Sequence, residues 1–282
     1  MNPRLREFLR VPPLRKWVIL VLRMLLLGYL ALVFVGAVLI NPLLFHPPGH
    51  QAELRGQVKL HTADGNDITG LYLPNPQAAY VLLFSYGNGE DMVADRDFLQ
   101  DFLSHGWAVM AYDYPGYGTS SGKPSEAGCD AAIDAAYAYL TGEKHIPPEH
   151  IVLYGRSLGS GPAVDLASRK PVGGLILQSA YTSIFRVVTH YRILPWEVFN
   201  NIAKISSIHA PLLSIHGTDD HVVPFWHGQA LFDAHPGPKQ YLWVPGADHN
   251  NLVEMAGGTL WTALEAFRRS LPLSKGVISM GQ

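Results

Sequence analysis

Ser157 lies in Gly155-Arg156-Ser157-Leu158-Gly159, directly after the apolar run Ile151-Val152-Leu153-Tyr154 and directly before a small-residue stretch that can open a helix. A serine on so tight a strand-to-helix turn needs neighbours, two positions either side, that carry almost no side chain. Gly155 and Gly159 meet that demand. The hydroxyl then stands at the edge of a sheet, open to an acyl carbonyl, and the backbone N–H of Leu158 at the helix start points where an oxyanion would form. The chemistry is nucleophilic acyl transfer. A hydroxyl is a poor nucleophile at neutral pH, so it needs a base, usually histidine, and the histidine needs a carboxylate to fix its tautomer. A second match, Gly118-Thr119-Ser120-Ser121-Gly122, follows Pro115-Gly116 and precedes Lys123-Pro124, so no strand feeds it and it reads as a loop.

The partners are sought downstream. After the apolar run Pro211-Leu212-Leu213-Ser214-Ile215-His216 comes Gly217-Thr218-Asp219-Asp220, two carboxylates on a strand-to-helix turn. Either can be the orienting acid, and helix capping is the competing role for such a pair. Four histidines follow. His221 is too close along the chain, His227 falls inside an expected helix, and His235 is held in His-Pro-Gly-Pro. His249 remains, in Gly246-Ala247-Asp248-His249-Asn250, a loop between the last strand and the final helix. The second oxyanion N–H is expected from Gly87-Asn88-Gly89, at Asn88 first and Gly89 next, because glycines there let the backbone approach a substrate.

The elements that must position these groups alternate in type. Strands are expected at 57–61, 68–73, 80–86, 107–112, 151–154, 174–178, 212–216 and 241–244, with helices at 92–103, 126–140, 158–169, 225–234 and 260–271. Two early strands followed by βα units predict an α/β fold with a mostly parallel central sheet covered on both faces. Ligands on such sheets bind beyond the carboxyl ends of the strands, where all these candidates fall. Residues 180–209 are expected to form a small cap, with Tyr181, Phe185 and Trp196 as candidate substrate-pocket residues.

The chain has 282 residues and a net charge of −2, unevenly spread. Residues 1–40 carry Arg4, Arg6, Arg10, Arg15, Lys16 and Arg23 against Glu7, a net of +5, which leaves −7 for the remainder. An acidic body excludes nucleic acid as a partner. From 17 to 40 the chain is apolar except for Arg23, about 36 Å of helix at 1.5 Å per residue, enough to span a bilayer. Its length exceeds the ~7–15 residues of a signal-peptide core, so it reads as an uncleaved anchor. Basic residues before the span and none after it until Arg55 place the N-terminus (1–16) in the cytoplasm and the body outside, periplasmic if bacterial. A linker at 41–56, a catalytic domain at 57–275 and a tail at 276–282 complete the division. Cys129 is the single cysteine, which excludes an intramolecular disulfide. Gly116 to Lys123 has the wrong spacing for a phosphate loop, and no metal-ligand spacing occurs among the 13 histidines, so no metal and no cofactor are expected.

Five stretches together resemble the α/β-hydrolase superfamily over 57–271: Tyr86-Gly87-Asn88-Gly89-Glu90-Asp91, Tyr112-Asp113-Tyr114-Pro115-Gly116-Tyr117-Gly118, the Ser157 turn, His216-Gly217-Thr218-Asp219-Asp220, and Gly246-Ala247-Asp248-His249-Asn250. Within it the chain is similar to the membrane-anchored serine hydrolases that include protein depalmitoylases and uncharacterised bacterial hydrolases. The resemblance implies that the acid is the last residue of His-Gly-x-x-Asp, Asp220. It departs from the family in two places: Tyr86 stands where many relatives have His, and the lipidated N-terminal cysteines of the depalmitoylases are replaced by the apolar segment. The expected function is a serine hydrolase acting on a small acyl ester, thioester or lipid. An acyltransferase using the same site, or a non-catalytic binding protein on this fold, are the alternatives.

Overall fold

The computed structural model describes residues 14–49 and 54–272. Arg4, Arg6, Glu7 and Arg10 of the basic N-terminus, and the tail at 276–282, lie outside the described residues. The chain divides into two units, an N-terminal unit ending at Leu44 and a body beginning at Phe45.

Within the first unit, Leu14–Leu44 forms one helix, α1, of 31 residues with no buried side chain. At 1.5 Å per residue it is roughly 46 Å long. It is long and apolar enough to cross a membrane. The stretch from 17 to 40 lies inside it, and 41–44, expected to be linker, is its last turn. Phe45 is only 4% exposed and packs edge-on against Phe199, so the body starts there rather than at 57.

The body is built on one eight-stranded sheet: β1 (Gln57–His61), β2 (Asp67–Leu73), β3 (Val81–Ser85), β4 (Ala108–Tyr112), β5 (Ile151–Arg156), β6 (Gly174–Gln178), β7 (Leu212–Gly217) and β8 (Lys239–Val244). The spatial order is β1-β2-β4-β3-β5-β6-β7-β8. β1 pairs with β2, and β2 with β4, antiparallel; every later pairing is parallel. β3 to β8 therefore end on one edge. β3, β4 and β6 are buried at every residue, as strands covered on both faces should be, with the polar Ser85 and Gln178 only at the ends of β3 and β6. Edge strand β8 is buried only at Val244.

The covering helices are α2 (Arg96–Ser104), α3 (Glu126–Ala138), α4 (Ser160–Arg169), α5 (Ile184–Thr189), α6 (Asn201–Lys204), α7 (Trp226–Ala234), α8 (Leu252–Ala256) and α9 (Gly258–Ser270). α2 starts four residues later than expected, because Asp91 Oδ1 accepts the amides of Val93 and Ala94 at 3.0 and 2.9 Å. That side-chain turn competes with helix geometry. α3 opens on Ser125, whose hydroxyl accepts the Gly128 amide at 3.0 Å, and continues past Ala138 as a π turn over Tyr139–Glu143. The second Gly-x-Ser-x-Gly is a loop with a structural use. Its Ser120 and Ser121 hydroxyls accept the amides of Thr69 and Asp67 at 2.9 and 2.8 Å, stapling it to β2.

Candidate active site

β5 enters the site through a turn that only glycines permit. Ser157 has φ of 49°, the left-handed region that costs a non-glycine residue energy, so the surroundings must hold it there. A Cβ on Gly159 would lie 2.1 Å from the Ser85 carbonyl oxygen, and one on Gly155 would lie 2.7 Å from the Gly159 carbonyl oxygen. Both contacts are with backbone, which cannot swing aside. The turn runs as a 3-10 turn over Ser157–Gly159 before α4 begins, where a helix from 158 was expected. The Leu158 amide sits in that first turn, whose leading N–H groups have no intrahelical acceptor.

β7 and β8 deliver the other two groups, three residues past Gly217 and five past Val244, which are themselves paired. His249 Nε2 is 3.0 Å from Ser157 Oγ, and His249 Nδ1 is 2.7 Å from Asp220 Oδ2. The Asp220 side chain is fully buried and that of His249 is 13% exposed. Asp220 Oδ1 accepts the amides of Val222 and Val223 at 3.0 and 2.7 Å, which fixes the carboxylate's orientation. Asp219 is exposed, and its carboxylate accepts from the neighbouring Thr218 hydroxyl. Between two adjacent carboxylates, the fold turns only Asp220 toward His249.

A second histidine, which the sequence reading passed over, braces the acid. His216 is fully buried on β7, lies 3.5 Å from Asp220 Oδ2, and donates from Nε2 to the Val223 carbonyl at 2.8 Å. Burial pulls its pKa down, so it stays neutral. Its place two residues before the acid's loop was the available signal.

The cleft at Ser157 is small, about 120 Å³, and its walls are mostly polar: Asn88, Glu90, Arg156, Gln178, Ser179 and Asn250 surround Ser157 and His249. Glu90 accepts the Gly87 amide at 2.6 Å and pairs with Arg156, which also pairs with the buried Asp95. Burial pulls the Arg156 pKa down and the carboxylates of Asp95 and Glu90 more than reverse it, so the cation beside Ser157 is permanent. Arg156 and Glu90 were in view in the sequence, but nothing local told that they would meet.

The Asn88 loop is tied down from below. The buried Tyr86 hydroxyl donates to Asp113 Oδ1 at 2.8 Å and accepts the Tyr114 amide at 3.0 Å. Burial raises the Asp113 pKa to about 6, against the lowering effect of the Tyr86 bond. Tyr86 thus has a structural place under the Asn88 loop. The Asn88 side chain is taken by Tyr117 and His46.

The three aromatic residues expected at an acyl pocket are not among those that line the cleft at Ser157. Tyr181 is 1% exposed, its ring against Phe199 and its hydroxyl donating to the Leu158 carbonyl at 3.0 Å. Phe185 and Trp196 pack edge-on against each other, ring centres 6.3 Å apart. Tyr181 is committed to packing while Phe185 and Trp196 stay half-buried, and the cap also carries an ion pair between Arg186 and the buried Glu197.

The fold and this edge of the sheet define an α/β hydrolase, and the chain belongs to the α/β-hydrolase family. Residues 80–190 match the family described as the alpha/beta hydrolase fold. Over 200 residues the chain is 44% identical to alpha/beta hydrolase domain-containing protein 17B of Xenopus tropicalis, covering 70% of this chain and 69% of that protein. The human 17B protein is 42% identical over the same shares. Among solved structures, an esterase of Pyrococcus furiosus superposes with a TM-score of 0.68 at 18% identity, covering 80% of this chain and 99% of that one. An esterase from Rhodococcus gives 0.61 at 18% identity, covering 77% and 100%.

Proposed function

We propose that this protein is a serine hydrolase that cleaves a carboxylic ester or thioester through an acyl-Ser157 intermediate. The observation that carries the reading is the unbroken chain from Ser157 Oγ to His249 at 3.0 Å and from His249 to Asp220 at 2.7 Å. Ser157 Oγ attacks the acyl carbonyl carbon while its proton passes to His249 Nε2. The carbonyl oxygen takes the negative charge and faces the amides of Leu158 and Asn88, each such donor being worth about 10²–10³ in turnover. Collapse breaks the bond to the leaving oxygen or sulfur, which receives the proton from His249. Water then repeats the sequence on the acyl-enzyme and releases a carboxylic acid. Asp220 stays a carboxylate throughout and stabilises the imidazolium.

A fluorophosphonate tests this directly, since it phosphonylates an activated serine. Wild-type protein should be labelled, and Ser157→Ala should not. Equal labelling of the two places the nucleophile elsewhere.

The small polar-walled cleft supports a substrate gripped by polar groups next to the scissile bond, with any long acyl chain left outside it. α1 serves as a single-pass anchor, N-terminus in the cytoplasm and body outside, on the charge pattern around it. A reporter fused after Gln282 should be active only on the extracytoplasmic side. Cytoplasmic activity of the fusion overturns the orientation and leaves the chemistry standing.

A further inference from the structure

We infer that His46, seated by Phe45, is a positioning residue for the oxyanion loop, so that two residues ahead of β1 support the catalytic site. The inference rests on the reading of Asn88 and Leu158 as oxyanion donors. The His46 amide donates to Asn88 Oδ1 at 3.0 Å and to the Tyr117 hydroxyl at 3.1 Å, and that hydroxyl donates to the same Asn88 oxygen at 2.9 Å. Two donors on Oδ1 settle which way the Asn88 amide faces. Its nitrogen is therefore the atom directed at His46 Nδ1, 3.0 Å away. Nδ1 must accept there, which puts the imidazole proton on Nε2. The His46 carbonyl oxygen lies 3.8 Å from where a Cβ on Gly89 would stand, so residue 46 lies directly against the 87–89 turn.

Phe45 fixes the other end. It is 4% exposed and packs edge-on against Phe199 at 6.4 Å between ring centres. Phe199 packs the same way on Tyr181 at 6.5 Å, and the Tyr181 hydroxyl donates to the Leu158 carbonyl at 3.0 Å. One dipeptide thus bears on both residues that supply oxyanion amides: directly on Asn88, and through two rings on Leu158. An oxyanion hole works by being preorganised, and displacements of about 1 Å cost up to roughly 10²-fold in rate. A side chain that pins one donor loop therefore acts on turnover more than on substrate binding.

The test uses the full-length protein in detergent, comparing wild type with His46→Ala, His46→Asn and His46→Gln. The readouts are kcat and KM on an activated short-chain ester, the melting midpoint, and hydrogen exchange of the segment 86–91. His46→Ala should lose about tenfold or more in kcat with KM and melting midpoint kept, and should exchange about tenfold faster over 86–91. His46→Asn should regain most of both, because its Oδ1 sits where Nδ1 did; His46→Gln, whose acceptor is one bond farther out, should not. Wild-type kcat and exchange in all three variants overturn the inference. So does a loss of kcat that follows the melting midpoint, or an asparagine variant as slow as the alanine one. A wild type that turns over no ester and takes no fluorophosphonate sinks the hydrolase reading instead, and the exchange comparison then decides the loop contact by itself.

Discussion

Ser157→Ala and His249→Ala should each lower kcat on an activated ester by about 10⁶, and the double variant should be no slower than either single one. The reason lies in the 3.0 Å contact between Oγ and Nε2. Attack and proton removal are one event, so removing either partner removes the whole step, and the second removal has nothing left to take. What survives comes from the oxyanion amides acting on a water molecule. Ser157 is half-buried at its turn and His249 is on a loop, so neither replacement leaves a large void, and melting curves should move little. Effects that multiply in the double variant, or a His249→Ala enzyme retaining a tenth of its activity, would show that another group is the base.

Asp220→Asn should cost on the order of 10⁴ in kcat while the protein stays folded. The geometry gives a specific cause. The amides of Val222 and Val223 hold the Oδ1 position, so the asparagine oxygen stays with them and its NH2 group takes the place of Oδ2, facing His249 Nδ1. A donor there forces the imidazole proton onto Nε2, the nitrogen that must receive the serine proton. Asp219→Asn is the control. Its carboxylate is exposed and bonded only to the neighbouring Thr218 hydroxyl among the described contacts, so activity should hold and stability should change by less than about 0.5 kcal/mol. Kinetics and melting of the two variants side by side check both statements, and the reverse pattern transfers the acid role to Asp219.

The sequence by itself determined the frame of the site. Gly155 and Gly159 announce a turn that no larger residue can make, and the apolar runs at 81–84, 108–112 and 151–154 are continuous because both faces of the sheet are covered. Periodicity and glycine placement are local properties, so they are legible one segment at a time. The order in which serine, carboxylates and histidine follow their strands was legible for the same reason. Residue types alone left Asp219 and Asp220 open, the resemblance favoured Asp220, and the tertiary structure turns that carboxylate toward His249. That choice is set by two amides that turn Asp220 inward and leave Asp219 in solvent. Only the tertiary structure also shows that Tyr181 is buried and that neither Phe185 nor Trp196 lines the Ser157 cleft, since an aromatic side chain reads alike whether it lines a cavity or fills one. Contacts across 42 residues, such as His46 with Asn88, or 66, such as Arg156 with Glu90, leave no periodic trace. The Arg156–Glu90 contact exists because the parallel sheet sets the ends of β3 and β5 side by side, and the His46 contact because the segment ahead of β1 returns to that edge; no local pattern encodes either meeting.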